Sequence, residues 1–323
     1  MSPDRLTIRT PARLHFGLLG WGPALVRQFG GLGLMIEEPA IEFTAENSPK
    51  PLITGLLTER ADRILEIVRA RLADENIKVP SLWLQITKAP PEHVGLGVGT
   101  QLSLAIAVAA YHFAGQPVPP TSQLARLTGR GLRSGIGLHG FEHGGLIVDG
   151  GRKGPNDVPA MIARLEFPLE WSIVVIRPLK ERGLHGREEI EAFRDLPAVP
   201  PGVTDKLCRA ILLDLLPSVA AANIVDFGMA LEELQREVGG AFAPAQGGQF
   251  HPRRAPEIIE ECRKAGLVGC GQSSWGPTVY AFSDRPRSEV KELVMALDER
   301  LGIGRSSIIV TRATNRGAEI RVE

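Results

Sequence analysis

The sequence predicts an α+β protein of two domains, each made of layered sheets and helices. Strand-like and helix-like segments are mixed in both halves of the 323-residue chain, an order that favours layered α+β architecture. A chain of this length forms two domains, or one large one, and buries a sizeable core. The composition shifts in the glycine- and proline-containing stretch 150–160. We therefore predict one domain over residues 1–155 and a second over residues 156–323.

The overall charge is balanced, because the chain has 37 basic and 37 acidic residues. No global field then recruits nucleic acid or an anionic membrane, and we expect neither as a partner. The three cysteines show no C-x-x-C spacing, so neither a disulfide framework nor a zinc site is indicated. The N-terminus lacks the apolar segment of a signal peptide. The most apolar stretch, 102–110, is far shorter than the roughly 20 residues that span a bilayer, and we expect a cytoplasmic protein.

Hydrophobic periodicity assigns the elements of the first half. Residues 57–75 place apolar side chains at spacings of 4, 3 and 4, which form one helical stripe. Residues 82–87 alternate between two faces, as a half-buried strand does. Gly115 closes a helix that begins near residue 100. We further predict strands over 5–10, 12–19, 29–36, 40–45 and 144–151, and a short helix over 122–129.

The second half begins with a buried strand over 171–178. Residues 288–302 form a helix that buries Val290, Leu293, Val294, Leu297 and Leu301. The remaining predicted helices cover 186–196, 203–216, 218–238 and 256–266, and the remaining strands cover 278–284, 306–313 and 318–322.

A glycine-rich stretch stands directly before the apolar helix of the first half. A strand, a glycine turn and a helix together expose unsatisfied backbone N–H groups at the helix N-terminus, where the helix dipole favours an anion. The spacing is neither that of a Walker motif nor that of a dinucleotide fingerprint. A turn that merely joins two elements is the alternative. We predict phosphate binding by Gly95, Gly97, Gly99, Thr100 and Gln101.

Three separated motifs carry a resemblance to a known superfamily. PPEHVGLGVGTQLSLAIA, from residue 90, resembles the second, phosphate-cradling motif of the GHMP kinases. PARLHFG (11–17) resembles the first motif, and VGCGQSSWGPTVYAF (268–282) stands where the third belongs. The resemblance implies a two-domain GHMP-kinase-like fold. Its N-terminal domain would be like ribosomal protein S5, and its C-terminal domain would be a ferredoxin-like α/β sandwich.

The residues of these motifs resemble those of one branch of the superfamily, the β-ribofuranosylaminobenzene 5′-phosphate synthase family of tetrahydromethanopterin biosynthesis. TPARLHFGLL, FGGLGLMIEEP, GRGLRSGIGLHGFEHGGLIVDGG and AQGGQF add to the blocks above, so the match runs from residue 10 to about 282. The resemblance implies a reaction that joins phosphoribosyl pyrophosphate to 4-aminobenzoate or 4-hydroxybenzoate and releases CO2 and pyrophosphate. It also implies Mg²⁺ and a homodimer. An ATP-dependent small-molecule kinase and a non-catalytic metabolite sensor are the alternatives.

Arginines between glycines suit these anionic substrates, because the guanidinium group binds phosphate and carboxylate oxygens bidentately. In GRGLRSGIG (129–137), Arg130 and Arg133 are candidates, with Ser134 and Gly135 as small donors. A solvated basic turn would look the same. Arg182 and His185 occur in a second such loop, which would be either a lid or a surface turn.

Kinases of the superfamily carry a catalytic aspartate after S-G, and this chain does not. SGIGLHGFEHGG instead contains His139 and Glu142, and no aspartate lies between Ser134 and Asp149. This departure weakens the kinase interpretation. The catalytic candidates are His139, Arg133, Glu142 and His15. His139 could act as an acid, since the pKa of histidine lies near neutrality, and a packing residue is its alternative. Asp149 and Glu142 are the nearest carboxylates for a metal, although no acidic pair has a metal-binding spacing.

Two further segments supply candidates. Arg13 and His15 share one face of a predicted strand that ends at Gly17, which suits either a cleft wall or a polar surface face. GQSSWGP (271–277) offers donors beside an aromatic wall that could stack an aryl ring, or Trp275 could belong to the core. Its candidate residues are Gly271, Gln272, Ser273, Ser274 and Trp275.

Overall fold

The structure is a computed structural model that describes residues 5–178, 186–250 and 254–323. Its strands are β1 (Arg5–Gly20), β2 (Phe29–Asn47), β3 (Leu52–Gly55), β4 (Leu82–Lys88), β5 (Leu146–Asp149), β6 (Met161–Leu165), β7 (Ser172–Ile176), β8 (Val268–Gln272), β9 (Val279–Ser283), β10 (Ile308–Thr311) and β11 (Glu319–Val322). Its helices are α1 (Thr58–Asp74), α2 (Val98–Phe113), α3 (Thr121–Thr128), α4 (Ile136–His143), α5 (Gly186–Asp195), α6 (Pro201–Arg209), α7 (Leu216–Ala220), α8 (Ile224–Gln246), α9 (Ala255–Lys264) and α10 (Arg287–Leu301).

A long antiparallel pair, β1 with β2, forms the centre of the first sheet. Each was predicted as two strands, and this prediction is wrong, because both run without interruption through their prolines. A register shift between Thr10 and Ala12 accommodates Pro11, which has no N–H for the ladder. A second shift between His15 and Gly17 bends β1 where it reaches the candidate site.

The first sheet has the order β11-β1-β2-β4-β3 in the described chain, with β5 joining β2 to β6. Helix α2 packs against β1, β2, α1, α3 and α4, and most of its residues are buried on every side, as expected for an apolar helix in a core. Helices α1, α2 and α3 confirm the predicted helices over 57–75, 100–114 and 122–129. Each observed end lies within two residues of the predicted one.

The second sheet is antiparallel, with the order β10-β7-β9-β8 in the described chain. One face packs on α9 and α10 through Val174, Ile258, Val290 and Leu297, and α8 packs against β8. This layered sheet and helix arrangement agrees with the predicted α+β class. Strands β6 and β11 follow residue 155 in the chain and nevertheless pair with the first sheet, so the predicted boundary stays a prediction.

Four elements were missed, namely β3, α4, β6 and β8. Strand β8 has the sequence VGCGQ, in which two glycines interrupt the apolar pattern. They allow close packing, since a side chain on Gly271 would lie 2.7 Å from Gln235 Oε1 in α8. Helix α8 also continues to Gln246, beyond its predicted end at 238. In the described residues, no helix is both long and apolar enough to cross a membrane.

Candidate active site

A cavity of about 250 Å³ opens where β1, the turn 129–134, α5, α8 and the turn 272–275 meet. Three stretches predicted as separate sites therefore contribute to one cavity. Its polar lining includes Arg13, His15, Thr100, Arg130, Arg133, Ser134, Gln235, Gln272 and Ser274. Its aromatic lining includes Phe16, Phe193, Phe242, Phe250 and Trp275.

Ser273 ties three of these stretches together. Its hydroxyl accepts a hydrogen bond from the His15 N–H at 3.0 Å and donates one to the Gly95 carbonyl at 2.7 Å. The Ser274 N–H donates to the His15 carbonyl at 3.0 Å, and the Arg13 N–H donates to the Leu96 carbonyl at 3.1 Å. Ser273 is fully buried and does not line the cavity. Ser273 therefore supports the cavity wall from behind and does not contact a substrate.

Gly95 is required by this packing. Its φ is +87°, which favours glycine, and a side chain there would collide with the Ser273 carbonyl. The bare backbone at residue 95 therefore approaches another turn of the protein, where the sequence analysis expected a phosphate. Gly97, with φ +75°, stands at the start of α2 beside the Arg13 side chain.

Three arginines surround the first turn of α2. A side chain at Gly97 would lie 3.4 Å from Arg13 Nε, and one at Gly99 would collide with the Arg60 guanidinium and lie 3.4 Å from Arg130 Nη1. Arg60 forms an ion pair with Glu92. Burial, and secondarily the charge of Arg60, lowers the pKa of Arg130 to about 10. Arg130 therefore remains a cation at neutral pH.

Hydrogen bonds hold the turn that carries Arg130 and Arg133. Arg130 Nε donates to Ser103 Oγ at 3.1 Å, and Ser103 Oγ donates to the Gly99 carbonyl at 2.7 Å. At the other end of the turn, the carboxylate of Asp149 accepts from the Gly135 N–H at 2.8 Å and from Ser134 Oγ at 3.2 Å. These contacts fix one end of the turn to α2 and the other end to β5 of the first sheet.

Asp149 is a functional residue whose role the sequence analysis missed. It is fully buried at the end of β5 and also accepts a hydrogen bond from the Gly151 N–H at 2.9 Å. Burial raises its pKa, and its hydrogen bonds to Gly151, Gly135 and Ser134 oppose that rise. Asp149 orients the turn that presents Ser134 and Arg133 to the cavity.

His15 is a nearly buried titratable group in the cavity wall, with 4% of its surface exposed. Its burial, followed by the charges of Arg13 and Arg133, lowers its pKa well below the ordinary value for histidine. The imidazole is therefore neutral at pH 7. Its Nε2 and Asp149 Oδ2 both face the gap left by Gly31, since a side chain there would lie 3.2 Å from the first and 3.4 Å from the second.

Trp275 provides the aromatic side of the cavity. It stacks on Phe193 at a centroid distance of 4.7 Å and an interplanar angle of 9°, and it contacts Phe242 edge-on at 5.1 Å. The Arg133 guanidinium carbon lies 4.5 Å from the centre of the Phe193 ring. Trp275 is 6% exposed, and its buried Nε1 has no hydrogen-bond partner among the described residues.

Other candidates lie behind the wall or away from it. His139 Nε2 lies 2.8 Å from the Pro159 carbonyl, and Glu142 is exposed beside His143. Neither of them lines the cavity, so we give them no part in the chemistry below. Also outside the lining are Gly95, Gly97, Gly99, Gln101, Gly135 and Gly271. Gln101 is buried and donates to the Gly137 carbonyl at 2.7 Å. Arg182 and His185 lie outside the described residues.

Residues absent from the sequence analysis complete the cavity lining, and they are Phe193, Gln235 and Phe242. Arg60, also absent from it, lies beside Gly99 and outside the lining. Gln235 donates to the Phe16 carbonyl and accepts from the Gln272 N–H at 2.9 Å, which joins α8 to β1 and β8. A glutamine among the apolar residues of an amphipathic helix was the available signal. Arg60 and Phe193 gave no comparable local signal.

The described residues do not offer a protein-only metal site. They contain no group of three or more histidine, cysteine, aspartate or glutamate side chains placed to hold a cation. Both oxygens of Asp149, the acidic residue nearest to the cavity turn, already accept hydrogen bonds.

The fold and the site define the class of the protein as GHMP-type. The GHMP kinases N terminal domain matches residues 60–163, and the GHMP kinases C terminal domain matches residues 215–301. Homoserine kinase from Cytophaga hutchinsonii superposes with a TM-score of 0.65 at 16% identity, covering 99% of this chain and 98% of that one. Mevalonate diphosphate decarboxylase from Staphylococcus aureus gives 0.67 at 15% identity, with the same coverage. At these identities the likeness concerns the fold alone.

Full-length relatives identify the particular family. The β-ribofuranosylphenol 5′-phosphate synthase of Archaeoglobus fulgidus is 36% identical, over 98% of this chain and 100% of the relative. The protein of the same name from Methanothermobacter thermautotrophicus is 34% identical, over 97% and 98% of the two chains. The chain belongs to the β-ribofuranosylphenol 5′-phosphate synthase family, and the resemblance stated from its motifs is confirmed.

Proposed function

We propose that this protein is a decarboxylating phosphoribosyltransferase that joins 5-phosphoribosyl 1-pyrophosphate to 4-hydroxybenzoate or 4-aminobenzoate. The observation that carries the proposal is that one cavity combines arginines with a tryptophan-based aromatic wall. The relatives are named for a phosphorylated ribose joined to a phenol ring, a product that needs both kinds of surface. The reaction would serve tetrahydromethanopterin biosynthesis.

The arginine side of the cavity would bind the sugar donor. Arg13, Arg130 and Arg133 would bind phosphate and pyrophosphate oxygens through charge-assisted hydrogen bonds, which are stronger than neutral ones. Thr100, in the first turn of α2, lies where the helix dipole adds positive potential. Fixed cations around the departing pyrophosphate would stabilise the charge that develops as it leaves.

The aromatic side would bind the acceptor. Trp275 and Phe242, which both line the cavity, would contact the aryl ring. Aromatic contacts of this kind contribute about 0.5–1.5 kcal/mol beyond the area that they bury. Arg133 adjoins both sides through its contact with Phe193 and would hold the two substrates together.

The chemistry requires no hydroxyl nucleophile from the protein. The bond between ribose C1 and pyrophosphate breaks, and its electron pair leaves with the pyrophosphate. A bond then forms between C1 and the ring carbon that carries the carboxylate. The carbon–carboxylate bond breaks next, CO2 leaves, and its electron pair restores the aromatic ring. The protein would orient both substrates, stabilise the departing anion and exclude water from the cationic sugar.

Mg²⁺ would enter with the pyrophosphate group of the donor, since the described residues provide no cluster for it and Mg²⁺ commonly binds substrate phosphates with few protein ligands. No step above is assigned to the ion. We also propose that the protein is cytoplasmic, and that it forms a homodimer as the family resemblance implies.

The test measures CO2 and pyrophosphate together. Purified protein with Mg²⁺, the phosphoribosyl donor and either aryl acid should release both products in equal amounts. ATP with candidate alcohols should give no ADP. ADP formation without CO2 release would replace the proposal by a kinase, and tight donor binding without turnover would favour a sensor. Arg321→Ala, at an exposed arginine of β11, is the matched control for arginine variants of the cavity.

A further inference from the structure

His15 is the residue of the cavity whose chemistry the reaction above does not use. Its main chain is occupied, because the N–H donates to Ser273 Oγ and the carbonyl accepts from the Ser274 N–H. Its imidazole makes no hydrogen bond to a described residue, although it lines the cavity and is almost fully buried. A buried ring that lines a substrate cavity and has no partner among the described residues has its nitrogens available to a substrate.

Charged groups face His15 from three elements. Arg13 precedes it on β1, and Arg133 comes from the turn 129–134. Asp149, on β5, places its Oδ2 on the other side of the space beside Gly31 of β2, where no side chain intervenes. The two arginines are also proposed ligands of the donor. Burial and the positive charges of Arg13 and Arg133 disfavour an imidazolium, so the ring is unprotonated before the substrates react. The same effects make it a weak base, which can accept only a proton that the reaction itself has made strongly acidic.

The two aryl acids differ in their need for a proton acceptor. When the ring of 4-hydroxybenzoate attacks C1, an electron pair moves from its hydroxyl oxygen into the ring, and the O–H proton must leave to give a neutral dienone. When CO2 then departs, the electron pair returns to the oxygen, which regains the proton. The nitrogen of 4-aminobenzoate donates its lone pair in the same way and can keep both hydrogens throughout.

We propose that His15 accepts the hydroxyl proton of the aryl acceptor as the new carbon–carbon bond forms, and returns it after CO2 has left. His15 would thereby favour a 4-hydroxy acceptor over a 4-amino acceptor. This inference rests on the proposed function, and it assigns a specificity role to a residue within the same cavity. The proton moves between the substrate oxygen and an imidazole nitrogen, so no further reactant is needed.

The test is His15→Asn, which keeps a side chain of similar reach and leaves the main-chain hydrogen bonds of residue 15 in place. With 4-hydroxybenzoate, kcat should fall about 100-fold, in the range for loss of a general base. With 4-aminobenzoate it should change less than about fivefold, and the KM for the sugar donor should not change. His112→Asn, near the far end of α2, is the matched control and should leave the ratio of the two activities unchanged.

A pH profile separates this role from a structural one. A phenolic hydroxyl ionises by itself near pH 10, so raising the pH from 7 to about 9 should increase turnover of 4-hydroxybenzoate by His15→Asn relative to the wild-type protein at the same pH. This range lies below the pKa of about 10 at which Arg130 loses its charge. The rescue is measured even if the wild-type protein uses the hydroxy acid alone. Three results would each overturn the inference. They are an equal loss of activity with both aryl acids, no rescue of His15→Asn at high pH, and a wild-type protein that turns over only 4-aminobenzoate. No CO2 release from either acid by the wild-type protein would instead remove the proposed function itself. His15→Gln is the second variant should His15→Asn fail to fold, which circular dichroism detects.

Discussion

The two sides of the cavity are built by different forces. On the arginine side, Arg130 and Ser134 are held by direct hydrogen bonds, and the carboxylate of Asp149 fixes the turn between them. On the aromatic side, Trp275 is held by ring packing, and its Nε1 has no partner among the described residues. Directed bonds fix the positions of charges before a ligand arrives, whereas packing leaves a polar donor unsatisfied. We infer that the arginine side is organised for the transition state and the aromatic side for acceptor binding.

The largest effect is expected at Arg133, which adjoins both sides. Arg133→Ala removes a cation that would face the departing pyrophosphate, and the stack on Phe193 loses its guanidinium. We expect kcat/KM to fall about 100- to 1000-fold, as for loss of one preorganised donor, with the folded state retained. Steady-state kinetics beside the Arg321→Ala control measure it. Kinetics within threefold of the wild type would show that Arg133 is only part of the wall.

The next effect tests the hydrogen-bonded support of the arginine side. Asp149→Asn keeps the size of the side chain but replaces an acceptor with an NH2 group toward the Gly135 or Gly151 N–H. We expect kcat/KM to fall about 10- to 100-fold, and the free energy of unfolding to fall by about 1–3 kcal/mol because a buried donor loses its acceptor. Kinetics and urea unfolding measure both effects. Full activity would mean that the turn keeps its position without the carboxylate.

A smaller effect is expected on the aromatic side. Phe193→Ala removes the ring that Trp275 and Arg133 both contact, and the indole loses an aromatic pair worth about 0.5–1.5 kcal/mol. The KM for the aryl acid should rise about fivefold, and the KM for the sugar donor should stay constant. Phe113→Ala, in the last turn of α2, is the control for loss of a phenyl ring. A fall in the KM for the aryl acid would instead mean that Phe193 occupies the place of the acceptor.

The features that could be predicted from the sequence are those determined by residues close together in the chain. The apolar stripe of α1 and the all-round apolar character of α2 define those helices from their own residues. The glycine-rich turns around residues 95, 131 and 274 were recognised because glycine and serine punctuate them. That they meet follows from the family resemblance, and the structure brings their neighbours Thr100, Arg133 and Trp275 to one cavity.

The rest depends on contacts between distant segments. Arg60 belongs to α1, and only the packing of α1 on α2 places it at Gly99. Gly95 was assigned to a phosphate, whereas its backbone packs on the Ser273 carbonyl, a partner 178 residues away in the chain. Pro11 suggested a strand break because proline cannot donate a ladder hydrogen bond. Strand β2 pairs with β1 on both sides of Pro11, and this pairing cannot be inferred from the local sequence.

The most direct measurement compares Arg130→Gln with Trp275→Phe, using the KM for each of the two substrates. If the cavity is divided as described, Arg130→Gln should raise the KM for phosphoribosyl pyrophosphate about 10- to 100-fold, the effect of losing a charged hydrogen bond. It should leave the KM for the aryl acid within about twofold. Trp275→Phe should raise only the KM for the aryl acid, about fivefold. Equal changes in both constants in either variant would contradict the division of the cavity.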